Sequence, residues 1–486
     1  MSLRLFFAIS LTLSASISSF SQMVPPERAG LIETGQLGDM GSSKTIDTRA
    51  AEVVGSLDPL LPWQEEVFDR TGMTRLWQKR GTAISRIRGA KVVIMGTGVD
   101  ASHPDLMGRV DCAASQTFIE GGGDPCRDEW GHDTAVATIG FANGEDGIGM
   151  RGFAWNTRIL SYKVMTTELN EFGQARLKVS PDALIRASRQ IRELADSEEA
   201  VIVITAFVYN STDPVLMEVF EDLKNKGNVY VVASSDNIRF LNSETQPGLP
   251  CFASTLSNVD CTASLTIKGE LAGWSSYGKR ISQTGRCDNI VAGYPGGRYG
   301  NFLGNSGCAP QVAALASLVW GYAKERGVTL FAAELKMLMQ RGATFAPGLI
   351  SAIVQYEVAN PHTLDAERLF EVVDMYIAGG LEPLAEGALR VSGVKSGDFG
   401  VVTELKVGEH YAIAGQGFGE EYALFINGVR VSHIYSGDIA EFTLGPEAYF
   451  FTQRGGNNVL YFTQVDREGR VCPFSVTKVL SGFQIR

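Results

Sequence analysis

The sequence predicts an α/β fold, a parallel sheet with helices on both faces, followed by an all-β region. Three observations carry this. Short apolar runs recur at residues 91–95, 158–164, 200–204, 229–233 and 289–292, each short enough for a buried strand. Segments of helical period lie between several of them, at 181–195 and 214–226, and strands alternating with helices imply a parallel sheet. From about residue 389 the helical period stops, and turn signals such as Asn427-Gly428 and Gly455-Gly456 separate short alternating runs.

The elements follow in order. Residues 1–21 carry Arg4, an apolar stretch over 5–13, and small residues at Ser19 and Ser21, the layout of a secretory signal peptide. The apolar stretch is shorter than the ~20 residues a spanning helix needs. Residues 22–57 are polar and without periodicity, and read as a linker or short pro-region. The α/β unit is expected over 58–375, a linker over 376–388, and a β-sandwich over 389–486.

Composition narrows the function. The chain has 486 residues, 44% hydrophobic and 20% charged, which suits several packed units and excludes a disordered chain. A net charge of −11 without a basic stripe excludes the electrostatics of nucleic-acid binding. After removal of the signal no membrane span is expected, so the protein is secreted or periplasmic. Seven cysteines in an exported chain are expected to pair. Cys112 with Cys126 and Cys251 with Cys261 are close enough in sequence to staple loops, Cys287 with Cys308 is a third pairing, and Cys472 is left over. One sequence does not fix the connectivity.

Gly96-Thr97-Gly98-Val99-Asp100-Ala101 follows a strand and satisfies a loose dinucleotide-binding pattern. Pro104 soon after argues against the helix that would receive a pyrophosphate. No His/Cys spacing suits zinc, and no Asp-x-Asp-x-Asp loop suits calcium.

Four segments read together support another reading. VVIMGTGVDASHPDL (92–106), GHDTAVATIG (131–140), VVASSDN (231–237) and GNSGCAPQVAALASL (304–318) resemble, in order, the first, histidine, oxyanion and nucleophile signatures of the subtilisin-like serine peptidases, the subtilases. The resemblance spans about two-thirds of the chain. It implies the subtilisin-like fold, protein or peptide ligands, Ser306 as nucleophile, His132 as its base and Asn237 as an oxyanion donor. It is also the sole ground for considering calcium. A serine hydroxyl needs an imidazole within hydrogen-bond reach, and the imidazole needs a carboxylate that fixes its tautomer.

That carboxylate is absent from its expected place, where Gly96 stands. For the family's namesake, losing the acid costs about 3 × 10⁴ in kcat. Other departures accompany it. Thr205, Ala206 and Phe207 stand along the pocket wall, with Phe207 expected to fill space that substrate backbone approaches. Asp236 precedes Asn237, and Asn305, Cys308 and Gln311 replace the usual Thr, Ala and His around the nucleophile. Glycine and aspartate have also changed places between the first two signatures, because Asp133 stands after the histidine where the family has glycine. Asp133 is therefore a candidate substitute acid through the space vacated at Gly96, although neighbours at a helix start usually point apart. Asp100 reads as structural, and His103, His362, His410 and His433 as surface or satisfied residues.

On the sequence alone, the missing acid favours a pseudopeptidase with a binding role. The alternative is an active serine endopeptidase with Asp133 or another group replacing the acid. Restoring an acid by Gly96→Asp is the substitution this reading suggests for recovering activity.

Overall fold

The computed structural model describes residues 31–32, 58–169, 175–207, 209–210, 214–235, 248–249, 251–277, 280–345 and 362–378, with strand segments between 390 and 485. The expected signal peptide, Asp236 and Asn237 lie outside the described residues.

The α/β unit is organised by β1 (Lys91–Gly96), β2 (Gln116–Thr117), β3 (Ile159–Lys163), β4 (Val201–Thr205), β5 (Val229–Ser234), β6 (Val259–Leu265) and β7 (Gln283–Arg286), which pair in parallel in the order β7-β6-β5-β4-β1-β3-β2. Two short strands, Thr344–Phe345 and His362–Thr363, extend the β7 edge. The alternation along β1 explains why both faces are covered. Val92 and Ile94 join one core cluster, Val93 and Met95 the other, and all four are almost fully buried. Burying each such side chain contributes roughly 1.5–3 kcal/mol.

Helices α1 (Glu65–Arg70), α2 (Met73–Arg80), α3 (His132–Phe141), α6 (Cys308–Glu325), α7 (Ala332–Arg341) and α8 (Ala366–Ile377) contribute to the first cluster. Helices α4 (Pro181–Ser197) and α5 (Pro214–Lys226) contribute to the second. α4 starts where Ser180 Oγ accepts from Ala183 N at 3.3 Å and Pro181 presets the first turn. The order of strands reverses between β1 and β4. Gly96 and Thr205 stand at the C-terminal ends of these two strands, the end of such a switch point where ligands bind in open α/β sheets.

Residues 289–292 correct one expectation. They begin β8 (Ile290–Tyr294), which pairs antiparallel with β9 (Arg298–Phe302) in a separate hairpin and not in the parallel sheet. Leu31–Ile32 pairs antiparallel with the outer edge of β9. Three disulfides join Cys112 to Cys126, Cys251 to Cys261 and Cys287 to Cys308, with Cα–Cα distances of 5.9, 4.9 and 5.3 Å. Further on, strands Arg390–Ser396, His410–Gln416, Ile439–Thr443 and His433–Ser436 form one sheet. Glu404–Leu405, Val471–Ile485, Asn458–Val465, Tyr422–Ile426 and Val429–Val431 form another. Among the described residues no helix is long and apolar enough to cross a membrane.

Candidate active site

Gly131 takes the left-handed conformation, φ 94°, and turns the chain into α3, so that His132 and Asp133 are its first two residues. The helix start has no cap of its own, and Asp128 supplies one. Its Oδ1 accepts from Trp130 N and Gly131 N at 3.1 and 2.7 Å; its Oδ2 accepts from Thr134 N and Thr134 Oγ1 at 3.0 and 2.8 Å. Burial, together with the charge of Asp133, pushes the Asp128 carboxyl up against the pull of the Gly131 and Thr134 donors. Asp128 was missed in the sequence. The signal available was an Asp placed three residues before a glycine and six before a threonine at a helix start.

The carboxylate of Asp133 folds back over the helix start. His132 Nδ1–H donates to Asp133 Oδ1 at 2.7 Å, and both side chains are buried. Thr97 N donates to Asp133 Oδ2 at 2.8 Å, while Asp133 N donates to Thr97 Oγ1 at 3.2 Å. An anion here also meets the positive end of the helix. The imidazole therefore has a carboxylate behind it. The premise of the pseudopeptidase reading, that none stands there, does not hold in the fold.

Gly96 makes the arrangement sterically feasible. A Cβ on it would lie 2.6 Å from Asp133 Oδ1 and closer still to Oδ2. The Gly96→Asp test meets this contact, because a side chain at 96 runs into the Asp133 carboxylate unless that carboxylate moves.

Ser306 sits in the one-turn 3₁₀ segment Asn305–Gly307 at the head of α6, half-buried, and α3 packs against that turn. Its Oγ–H donates to the Ala206 carbonyl at 2.8 Å. His132 Nε2 is buried without a hydrogen-bond partner, and the Phe302 ring lies 5.9 Å from the imidazole, centre to centre. Thr205 ends β4, next to Ala206. Phe207 turns inward, 7% exposed, among the core residues on the α4 and α5 side.

Asp100, His103 and His433 each make bonds within their own surroundings. Asp100 Oδ1 accepts from Ser102 N at 3.0 Å and its Oδ2 from Gly296 N at 2.8 Å. Against a rise from burial, the bond donated by Ser102 Oγ, together with these two, holds its carboxyl below the ordinary value. His103 is fully buried, with Nδ1 accepting from Asp105 N at 3.2 Å, and burial pulls its pKa down. His433 lies far along the chain, its Nδ1 3.0 Å from Val431 O. The side chains of His362 and His410 lie outside the described residues. Among the described residues no three His, Cys, Asp or Glu side chains converge as a metal group.

A parallel α/β sheet with a serine at a helix head and a histidine–carboxylate pair beyond the switch point defines the class. The family model described as the subtilase family matches residues 88–364, more than half of the chain, and the chain belongs to that family. It is 31% identical over 231 residues to the Thermophilic serine proteinase of Bacillus sp. (strain AK1), covering 48% of this chain and 52% of that protein. It is 29% identical over 233 residues to Thermitase of Thermoactinomyces vulgaris, covering 48% of this chain and 75% of that protein. The chain thus spans about half the length of the first of these relatives. Among solved structures, the prenylagaramide maturation protease PagA aligns with a TM-score of 0.47 at 20% identity, over 62% of this chain and 98% of that one.

Proposed function

We propose that this chain is an exported serine peptidase that cleaves peptide bonds with Ser306 as nucleophile, His132 as general base and Asp133 in the role of the family's acid. The observation that carries the reading is the 2.7 Å bond from His132 Nδ1 to Asp133 Oδ1, made in the space left by Gly96. With Asp133 Oδ2 fixed by Thr97 N, the carboxylate keeps the proton on Nδ1 and leaves Nε2 as the acceptor. In the reaction, Nε2 takes the proton of Ser306 Oγ as it attacks the scissile carbonyl. It then returns that proton to the leaving amine, while the Asp133 carboxylate stabilises the imidazolium. Asn237 is assigned the oxyanion by resemblance. Three disulfides support an oxidising compartment, and with the signal-like N-terminus they support export. The region 389–486 is read as a β-sandwich, supported by its two groups of paired strands.

A second reading, a pseudopeptidase that binds peptides, has one observation on its side: Ser306 Oγ–H points to Ala206 O and not to His132. Labelling with a fluorophosphonate, which requires an activated serine, separates the two. The peptidase reading expects labelling well above that of Ser306→Ala, and casein hydrolysis that falls by about 10³–10⁴ in Asp133→Asn. Wild-type labelling equal to that of Ser306→Ala would leave the binding reading standing.

A further inference from the structure

We propose that Asn305, Cys308 and Gln311, the three departures around Ser306, are positioning residues that together fasten the nucleophile turn to the sheet. The inference rests on the peptidase reading above. Each residue is almost fully buried and is tied, directly or through one neighbour, to β6 or to the end of β7. Asn305 Oδ1 accepts from Ser275 Oγ at 2.8 Å, and Ser275 Oγ accepts from Ser264 N of β6 at 3.0 Å. Cys308 is bonded to Cys287, one residue past the end of β7. Gln311 Nε2 donates both to Arg286 O, the last residue of β7, at 2.8 Å and to Gly307 O of the turn itself at 3.0 Å.

The turn needs such ties because of what flanks the serine. Gly304, at φ 150°, and Gly307 bracket Asn305 and Ser306, and glycine gives the chain wide freedom. A displacement of about 1 Å at a reacting group can cost about 10²-fold in rate. The disulfide also closes a loop holding the β8–β9 hairpin, which is tied to the base side. Gly293 N donates to Thr138 Oγ1 of α3 at 2.8 Å, and Gly296 N to Asp100 at 2.8 Å. One crosslink therefore keeps nucleophile and base in register. These residues act through Ser306 and touch no reacting atom.

The test compares wild type, Cys287→Ala/Cys308→Ala and Gln311→Met. It measures kcat and KM on a peptide substrate well below the unfolding temperature, and hydrogen exchange over residues 303–309. Gln311→Met keeps the bulk and the disulfide, so it reads the fastening even if the double variant does not fold. The fastening predicts kcat lower by about 10- to 100-fold in the double variant with KM within about twofold, a smaller loss of kcat in Gln311→Met, and faster exchange confined to 303–309. Lower thermal stability with unchanged kcat and unchanged exchange there would overturn it. A wild type inert to the probe would defeat the peptidase reading alone, since exchange over 303–309 still decides the fastening.

Discussion

Gly96 and Asp133 form one unit at the residue scale, in which the first makes room and the second fills it. The exchange of residue types was legible in the sequence. It marked Asp133 as a candidate acid against the tendency of successive helical side chains to diverge; what it did not show is Thr97 N, which holds Asp133 Oδ2. A different buried acid yields a pH prediction. Burial raises the Asp105 carboxyl to about 7; Met150 N donates to its Oδ2 at 3.1 Å, and its Oδ1 is buried without a partner. Because the folded value lies above the unfolded one, the unfolded chain releases this proton first as pH rises. Stability from the neutral group is complete below about pH 4 and lost as pH climbs to about 7, by on the order of a few kcal/mol at most. Asp105→Asn should therefore gain on wild type in denaturant unfolding at pH 8 relative to pH 5. An equal difference at both pH values would contradict the assignment.

Among the elements, Lys336 of α7 shows how a helix can hold a strand entry. Its Nζ donates to Ser254 O, Leu256 O and Val259 O at 2.8, 2.8 and 2.6 Å, with Asp260 at 3.9 Å, and burial lowers its pKa. Lys336→Met strands three carbonyls and should lower stability by about 2–4 kcal/mol in urea titration. A loss under about 0.5 kcal/mol, typical of a surface site, would contradict this role. The strands legible in the sequence were the aliphatic ones, β1, β3, β4 and β5. β6 was not, because Asp260, Thr262 and Ser264 are fully buried in it and each polar group is met by a particular partner, as when Thr262 Oγ1 donates to Ala233 O at 3.1 Å. The run at 289–292 looked like a sheet strand because apolar content alone does not distinguish a parallel strand from a hairpin arm.

For the whole molecule, four signatures in order made the family legible; the loop pairs Cys112–Cys126 and Cys251–Cys261 were suggested by the sequence, while Cys287–Cys308 needed the fold to fix it. Six of the seven cysteines are thereby used, leaving Cys472. Alkylation of the unreduced, denatured protein should block one thiol per chain, rising to seven after reduction; three or more thiols before reduction would remove at least one of the bonds. In the proposed peptidase, the Asp133 carboxylate at the start of α3 takes the place of an acid at the end of β1, beside the β1–β4 switch point. The reciprocal pair Gly96→Asp and Asp133→Gly tests this most directly, with kcat on a peptide substrate measured for each single variant and for the double. Asp133→Gly is expected to lose about 10³–10⁴ in kcat, Gly96→Asp to be crippled by the clash, and the double variant to recover a large part of the loss. Undiminished hydrolysis in Asp133→Gly, or a fully active Gly96→Asp, would contradict it.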